Sequence, residues 1–124
     1  MLPQKVLIID DEHMIRLTTS ILLKQKGIAV VSASSGQEGL DMAISEKPEL
    51  ILLDIMMPVM DGWEVFDKLR SSEATAAIPV IIFTAGDFIE AERIAGEKQV
   101  SGIIRKPFHV DDLLKMFDIS SLEN

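Results

Sequence analysis

Asp10 and Asp11 follow the apolar run Val6-Leu7-Ile8-Ile9, and Asp54 follows Leu50-Ile51-Leu52-Leu53. Thr84 follows Val80-Ile81-Ile82-Phe83, and Lys106-Pro107 follows Gly102-Ile103-Ile104-Arg105. Three carboxylates, a hydroxyl and an ammonium therefore stand at the carboxyl ends of four candidate strands. These are the groups a phosphoryl transfer uses: a nucleophile, ligands for a cation, and donors to the phosphoryl oxygens. Two carboxylates about 4 Å apart repel by roughly 4 kcal/mol at an effective dielectric near 20, so a cluster of three requires a cation. With oxygen donors only, the suited ion is a hard divalent one such as Mg²⁺, whose octahedron waters and a phosphate complete.

Each group also has a plainer reading. Asp10 and Asp11 can cap a following helix and complement its dipole. Asp54 can be a loop residue, Thr84 a satisfied strand-end hydroxyl, and Lys106 a surface cation. Pro107 adds weight to Lys106, because an X-Pro bond can be cis and redirect the preceding side chain into a turn. The coincidence of all four at one edge favours a shared site.

The elements that must place them follow from hydrophobic periodicity. Continuous runs rich in Val, Ile and Leu near residues 5–9, 28–33, 49–53, 78–83 and 100–104 predict strands covered on both faces. Between them, Met14, Leu17 and Ile21 share one face of a helix over 13–26, which Gly27 would end. Ser35-Gly36-Gln37-Glu38 reads as a capping box for a second helix burying Leu40, Ala43 and Ile44, with Pro48 beyond its end. Asp61, with Glu64 three positions on, predicts a third helix burying Val65 and Leu69. A fourth over 87–95 is crowded by Gly86 and Gly96, and a fifth follows Phe108 with Leu113, Leu114, Met116 and Phe117 as its apolar side. Strands alternating with helices imply a parallel α/β sheet with right-handed crossovers. In such a sheet ligands bind beyond the carboxyl ends of the strands, where the chemistry-bearing residues fall.

Composition narrows the classes. A length of 124 residues predicts one domain over 1–124 that buries roughly two thirds of its unfolded surface. The absence of Cys excludes disulfides and thiolate metal sites. Apolar runs of about four to six residues fall far short of the roughly 20 that span a bilayer, and no signal-peptide region is visible, so the expectation is a soluble cytoplasmic protein. A formal charge of −8 argues against direct binding to nucleic acid or an anionic membrane.

The stretches Val6-Leu7-Ile8-Ile9-Asp10-Asp11-Glu12, Leu50 through Gly62, Thr84-Ala85 and Lys106-Pro107-Phe108 resemble those of response-regulator receiver domains in two-component signalling, of the chemotaxis-regulator-like kind. The resemblance covers residues 4–119 in order and spacing. It implies a flavodoxin-like (βα)5 three-layer sandwich with a five-stranded parallel sheet of order 2-1-3-4-5. It also implies a phosphoacceptor at Asp54, Mg²⁺ held by Asp10, Asp11, Asp54 and the backbone carbonyl of Met56, and phosphoryl contacts from Thr84 and Lys106. The implied partners are a histidine kinase or histidine phosphotransfer protein, and an effector on the face of the fourth helix, fifth strand and fifth helix. A phosphorylation-dependent dimer is compatible with it. Such a domain is a phosphoacceptor that assists its own phosphorylation and dephosphorylation rather than an enzyme.

Two features depart from the family pattern. Ile103 stands three residues before Lys106, where Tyr or Phe is usual, and Gln99-Val100 replaces the Gly-Ala that often precedes the fifth strand, leaving Gly96 as the expected helix stop. Phe88 and Ile89 read equally as partner surface or as core, and Trp63 as an exposed anchor or as packing over the site rim. Three other functions are weighed against the receiver. An Mg²⁺-dependent Asp-nucleophile phosphatase of the haloacid-dehalogenase type places Asp-x-Asp after the first strand, whereas this chain has Asp10-Asp11-Glu12. A phosphorylation-independent binding module would have no need of the complete set of site residues. A dinucleotide-binding protein is disfavoured because no Gly-x-Gly-x-x-Gly follows the first strand.

Overall fold

The computed structural model describes residues 2–118. Five strands alternate with five helices: β1 Lys5–Ile9, α1 His13–Gln25, β2 Ala29–Ala33, α2 Gly36–Ser45, β3 Leu50–Asp54, α3 Gly62–Ser71, β4 Val80–Thr84, α4 Phe88–Lys98, β5 Gly102–Arg105 and α5 Val110–Met116. All strand pairs are parallel, in the order β2-β1-β3-β4-β5. The expected α/β sandwich and strand order are therefore present. Among the described residues no helix is long and apolar enough to cross a membrane.

The strand pattern explains the layering. Alternate side chains of a strand leave on opposite faces, so a strand covered on both sides must be apolar throughout. Every residue of β3 and β4 is buried. Leu7, Ile9, Ile51 and Leu53 enter one core with Ala43 of α2 and Val65, Phe66 and Leu69 of α3. Val6, Ile8, Leu50 and Leu52 enter the other with Leu23 of α1 and Leu113 and Phe117 at α5. Each fully buried Leu or Ile contributes about 1.5–3 kcal/mol of transfer free energy. Lys98 on α4 donates to both carboxylate oxygens of Asp67 on α3 at 2.8 and 2.9 Å, tying those helices together.

Local signals hold at most boundaries. The Ser35 hydroxyl accepts from Glu38 N at 3.2 Å, and Glu38 reaches back to Ser34 N at 2.6 Å rather than to Ser35. Asp61 and Asp87 cap α3 and α4 by accepting from Glu64 N and Glu90 N. Gly27 ends α1 with φ 81°, a left-handed conformation that costs glycine little.

Three expectations need correction. Met14, Leu17 and Ile21 are 63%, 44% and 49% exposed, while Thr19 and Leu23 form the buried side of α1. Apolar residues surround much of this helix, so helical spacing left its rotation undecided, and docking on the sheet chose the other face. Ile44 is 52% exposed, because α2 turns Gly36, Gly39 and Ala43 inward. A Cβ at Gly39 would lie 2.8 Å from Ile9 Cγ1, so small residues are what bring this helix onto β1. Gly96 does not stop α4, which runs to Lys98 and ends at Gln99 with φ 59°. Buried Ala91 and Ala95 keep α4 seated past the glycine.

Candidate functional site

β1 and β3 are neighbours, so the carboxyl ends of both strands deliver acids to one place. Ile9 pairs with Leu53 in the sheet, which sets Asp10 and Asp54 beside each other. Asp54 is the last residue of β3 and Thr84 the last of β4, each inside its strand rather than following it. Asp54 aligns with Phe83, so Thr84 lies one step beyond it on the adjacent strand. Lys106 follows β5, and its N–H donates to the Thr84 carbonyl at 2.8 Å, extending the ladder into the site. The Lys106–Pro107 bond is cis.

Ligand oxygens of Asp10, Asp11 and Asp54 all lie within 4.8 Å of one another. Asp10 and Asp54 are buried and Asp11 is exposed, so the cluster is closed beneath and open above. Lys106 Nζ, whose side chain is 6% exposed, donates to Asp10 Oδ2 at 2.9 Å and stands 3.6 Å from Asp54 Oδ1 and 3.8 Å from Glu12 Oε1. The same ammonium sits 4.7 Å from the centre of the Phe83 ring. Its chain is thus held by an aromatic face below and carboxylates ahead.

Backbone amides fix the acids. Asp10 Oδ1 accepts from Glu12 N at 2.9 Å, and Asp54 Oδ1 accepts from Met56 N at 3.1 Å. Thr84 Oγ1 accepts from Gly86 N at 3.0 Å, leaving its hydroxyl proton available to another acceptor. The Met56 side chain is 60% exposed and lies over Gly86, where a Cβ would sit 2.6 Å from its sulfur. Gly62 is required by close approach: a Cβ there would stand 2.5 Å from Ile55 Cα and collide with the Asp54 carbonyl.

The electrostatics match this crowding. Burial and then the neighbouring Asp10 charge raise Asp54 from 3.8 to about 7, against the lowering pull of the Met56 N–H and Lys106. Burial works against the Lys106 ammonium, but the hydrogen bond to Asp10 and the charges of Asp54, Asp10 and Glu12 outweigh it and hold its pKa above the usual lysine value. Three oxygen donors converging where like charges repel fit a hard divalent cation, which would offset both causes of the Asp54 shift.

Asp10, Asp11, Asp54 and Lys106 converge at this edge, with Thr84 at the end of the adjacent strand and Met56 two residues beyond Asp54. Several contributors were not singled out. Arg16 Nη1 donates to the Asp10 carbonyl at 2.7 Å, and Glu12, Phe83 and Gly62 shape the site as described. Arg16 lies six residues after Asp10, at the end of the first turn of α1, a spacing that could have signalled it. Trp63 is half-buried against the core that includes Met57 and Val65. Phe88 is half-buried with the Arg105 guanidinium 4.6 Å from its ring centre, while Ile89 is 78% exposed.

Residues 6–118 match the family described as the response regulator receiver domain. The chain is 35% identical over 114 residues to response regulator MprA of Mycolicibacterium vanbaalenii, covering 91% of this chain and 48% of that protein. It is 37% identical over 110 residues to the DNA-binding dual master transcriptional regulator RpaA of Synechocystis, covering 89% and 46%. The chain thus spans about half the length of these relatives. Chemotaxis protein CheY4 of Vibrio cholerae superposes with a TM-score of 0.83 at 32% identity, over 90% of this chain and 92% of that one. The receiver domain of the Francisella response regulator 1452 does so with 0.85 at 29% identity, over 95% and 96%.

Proposed function

The chain belongs to the response regulator receiver domain family, and from that membership we propose that it accepts a phosphoryl group on Asp54 from a histidine kinase or histidine phosphotransfer protein. Response regulators work between histidine kinases and effectors, and the family is a phosphoacceptor. The observation that carries the assignment is the convergence of Asp10, Asp11, Asp54 and Lys106 on one point, half closed by the sheet.

Asp10, Asp11, Asp54 and the backbone carbonyl of Met56 would hold Mg²⁺. Bound there, Mg²⁺ supplies charge neutralisation on the phosphoryl oxygens. The ionised Asp54 carboxylate attacks phosphorus in line; the new O–P bond forms as the P–N bond to the donor imidazole breaks, leaving an aspartyl phosphate. Lys106, held 3.6 Å from Asp54, shifts its donation from Asp10 to a phosphoryl oxygen. Thr84, buried one step beyond, gives its hydroxyl proton to another. Attack by water at the same phosphorus resets the domain.

The signal is a population shift driven by these new contacts, since the phosphoryl group interacts with Thr84 and Lys106 in only one of two arrangements. Thr84 holds Gly86 N, so its movement reaches the start of α4. The face of α4, β5 and α5 is the proposed effector surface, and exposed Ile89 supports it. Ile103 is half-buried against the core shared with α3, so no ring occupies its place in β5. A cytoplasmic setting, a single domain over 1–124 and the absence of direct nucleic-acid or membrane contact complete the proposal, as does dimerisation on phosphorylation.

The test is phosphorylation by acetyl phosphate with Mg²⁺, read by intact-protein mass. The wild type gains one phosphoryl group, Asp54→Asn gains none, and chelation of Mg²⁺ abolishes the gain. A folded, Mg²⁺-bound wild type that stays unmodified refutes the proposal.

A further inference from the structure

The two acids at the end of β1 are joined by one peptide unit, and α1 grips that unit. Ile9 is the last β1 residue paired on both sides, with Ala33 and with Leu53. Asp10, fully buried, still donates its N–H to the Ala33 carbonyl at 3.1 Å. Its own carbonyl takes its partner from outside the sheet, the Arg16 guanidinium at 2.7 Å. Arg16 is half-buried and makes no ion pair among the described residues, so its charge is spent on a neutral acceptor.

That carbonyl belongs to the Asp10–Asp11 peptide, which is planar. Fixing its oxygen fixes the plane, and with it the amide nitrogen and Cα from which the Asp11 side chain departs. Asp10 needs little further help, since Glu12 N and Lys106 Nζ each hold one of its carboxylate oxygens. Asp11 is different. Its side chain is exposed, and among the described residues nothing bonds its carboxylate, yet an oxygen of it lies within 4.8 Å of those of Asp10 and Asp54. We infer that Arg16 is a positioning residue for the metal site, aiming Asp11 at the shared point by holding the peptide that joins it to Asp10. The inference rests on the Mg²⁺ site proposed above and adds the residue that sets its geometry.

The sign of one effect separates positioning from charge. A guanidinium beside a cation site repels the cation, so by charge alone its removal tightens Mg²⁺ binding. Through position, its removal frees the peptide plane and weakens binding. A merely structural tie, filling a buried acceptor, predicts lower stability and unchanged affinity.

The experiment is a Mg²⁺ titration of the whole chain followed by amide chemical shifts, on wild type, Arg16→Ala and Arg16→Lys, with thermal melts in parallel. Arg16→Ala is expected to weaken Mg²⁺ binding by about tenfold, the scale on which residues behind metal ligands act. Arg16→Lys, which keeps the charge and a donor, recovers most of the loss. With acetyl phosphate, Arg16→Ala needs more Mg²⁺ for its half-maximal rate and reaches the wild-type rate at saturation. A folded Arg16→Ala that binds Mg²⁺ as tightly as wild type, or more tightly, overturns the inference. If that variant does not fold, Arg16→Met, which keeps the aliphatic packing and loses the donors, is read by the same criterion. A wild type that shows no Mg²⁺-dependent shifts overturns the metal site itself, a result distinct from a wild type whose binding ignores Arg16.

Discussion

Asp54→Asn should stabilise the fold, and the gain should grow with pH. Burial, then Asp10, raises the Asp54 carboxyl from 3.8 to about 7, so the folded state holds a proton that the unfolded chain releases near its ordinary value. The sign follows from linkage: between the two values the native state binds more protons than the unfolded state, so stability falls as pH rises. The contribution is fully present below about 4 and is lost as pH passes through about 7. A gap of about three pH units corresponds to about 4 kcal/mol at 1.36 kcal/mol per unit. Water reaching the open side of the cluster reduces this, so about 2–4 kcal/mol is expected. The amide introduced by Asp54→Asn retains an oxygen to accept from Met56 N, as Asp54 Oδ1 does at 3.1 Å, while removing the charge that opposes Asp10. The assay is urea unfolding of wild type and variant at several pH values from 4 to 8, with chelator present. The two curves should nearly coincide at pH 4 and separate steadily towards pH 8. Adding Mg²⁺ at pH 8 should stabilise the wild type, by about 2.7 kcal/mol at a hundredfold excess over the dissociation constant. A wild-type stability that rises from pH 5 to 7, or a variant no more stable at pH 8, would refute the claim that burial and the Asp10 charge raise the Asp54 carboxyl.

Lys106→Met should slow acetyl-phosphate modification by at least about a hundredfold, since the ammonium 3.6 Å from Asp54 is the charged donor placed for a phosphoryl oxygen; rates from mass spectrometry decide it. Gly62→Ala should cost more than about 2 kcal/mol, because the new Cβ meets the Asp54 and Ile55 backbone rather than a movable side chain, and thermal melting would show it. Met14→Ser and Ile21→Ser should each change stability by less than about 0.5 kcal/mol, whereas Leu23→Ala should cost about 2–5 kcal/mol. Equal costs at the three positions would contradict the observed rotation of α1.

Much of the fold was legible because parallel strands buried on both faces have to be apolar at every position. Runs such as Leu50 through Leu53 therefore announce themselves, and the acids, hydroxyl and lysine that close them stand out by contrast. Caps were legible for a related reason. Ser35 and Asp61 are local in sequence to the amides they satisfy, so no tertiary knowledge is needed. Two helical faces were not legible. In α1, both candidate faces carry apolar residues at helical spacing, and only contact with the sheet selects Thr19 and Leu23 over Met14, Leu17 and Ile21. In α2, glycines line the inner face because Gly39 approaches Ile9 of β1 and Gly36 approaches Val65 of α3 too closely for a side chain, demands made by distant segments.

The sequence by itself determined the inventory of the site: three carboxylates, Thr84 and Lys106, each at the end of an apolar run, with spacing specific enough to indicate the family. The tertiary structure decided how those groups act on one another. Strand order brought β1 beside β3 and buried Asp54 next to Asp10, and that burial, with the Asp10 charge second, raises Asp54 to about 7. It also carried Lys106 across 96 residues of chain to within 2.9 Å of Asp10, and laid Arg16 over the Asp10 carbonyl. Residue types and local spacing are properties of the chain, but burial, charge coupling and the direction of a helix face exist only once distant segments pack. The chemistry available was therefore written in the sequence, and its tuning was not.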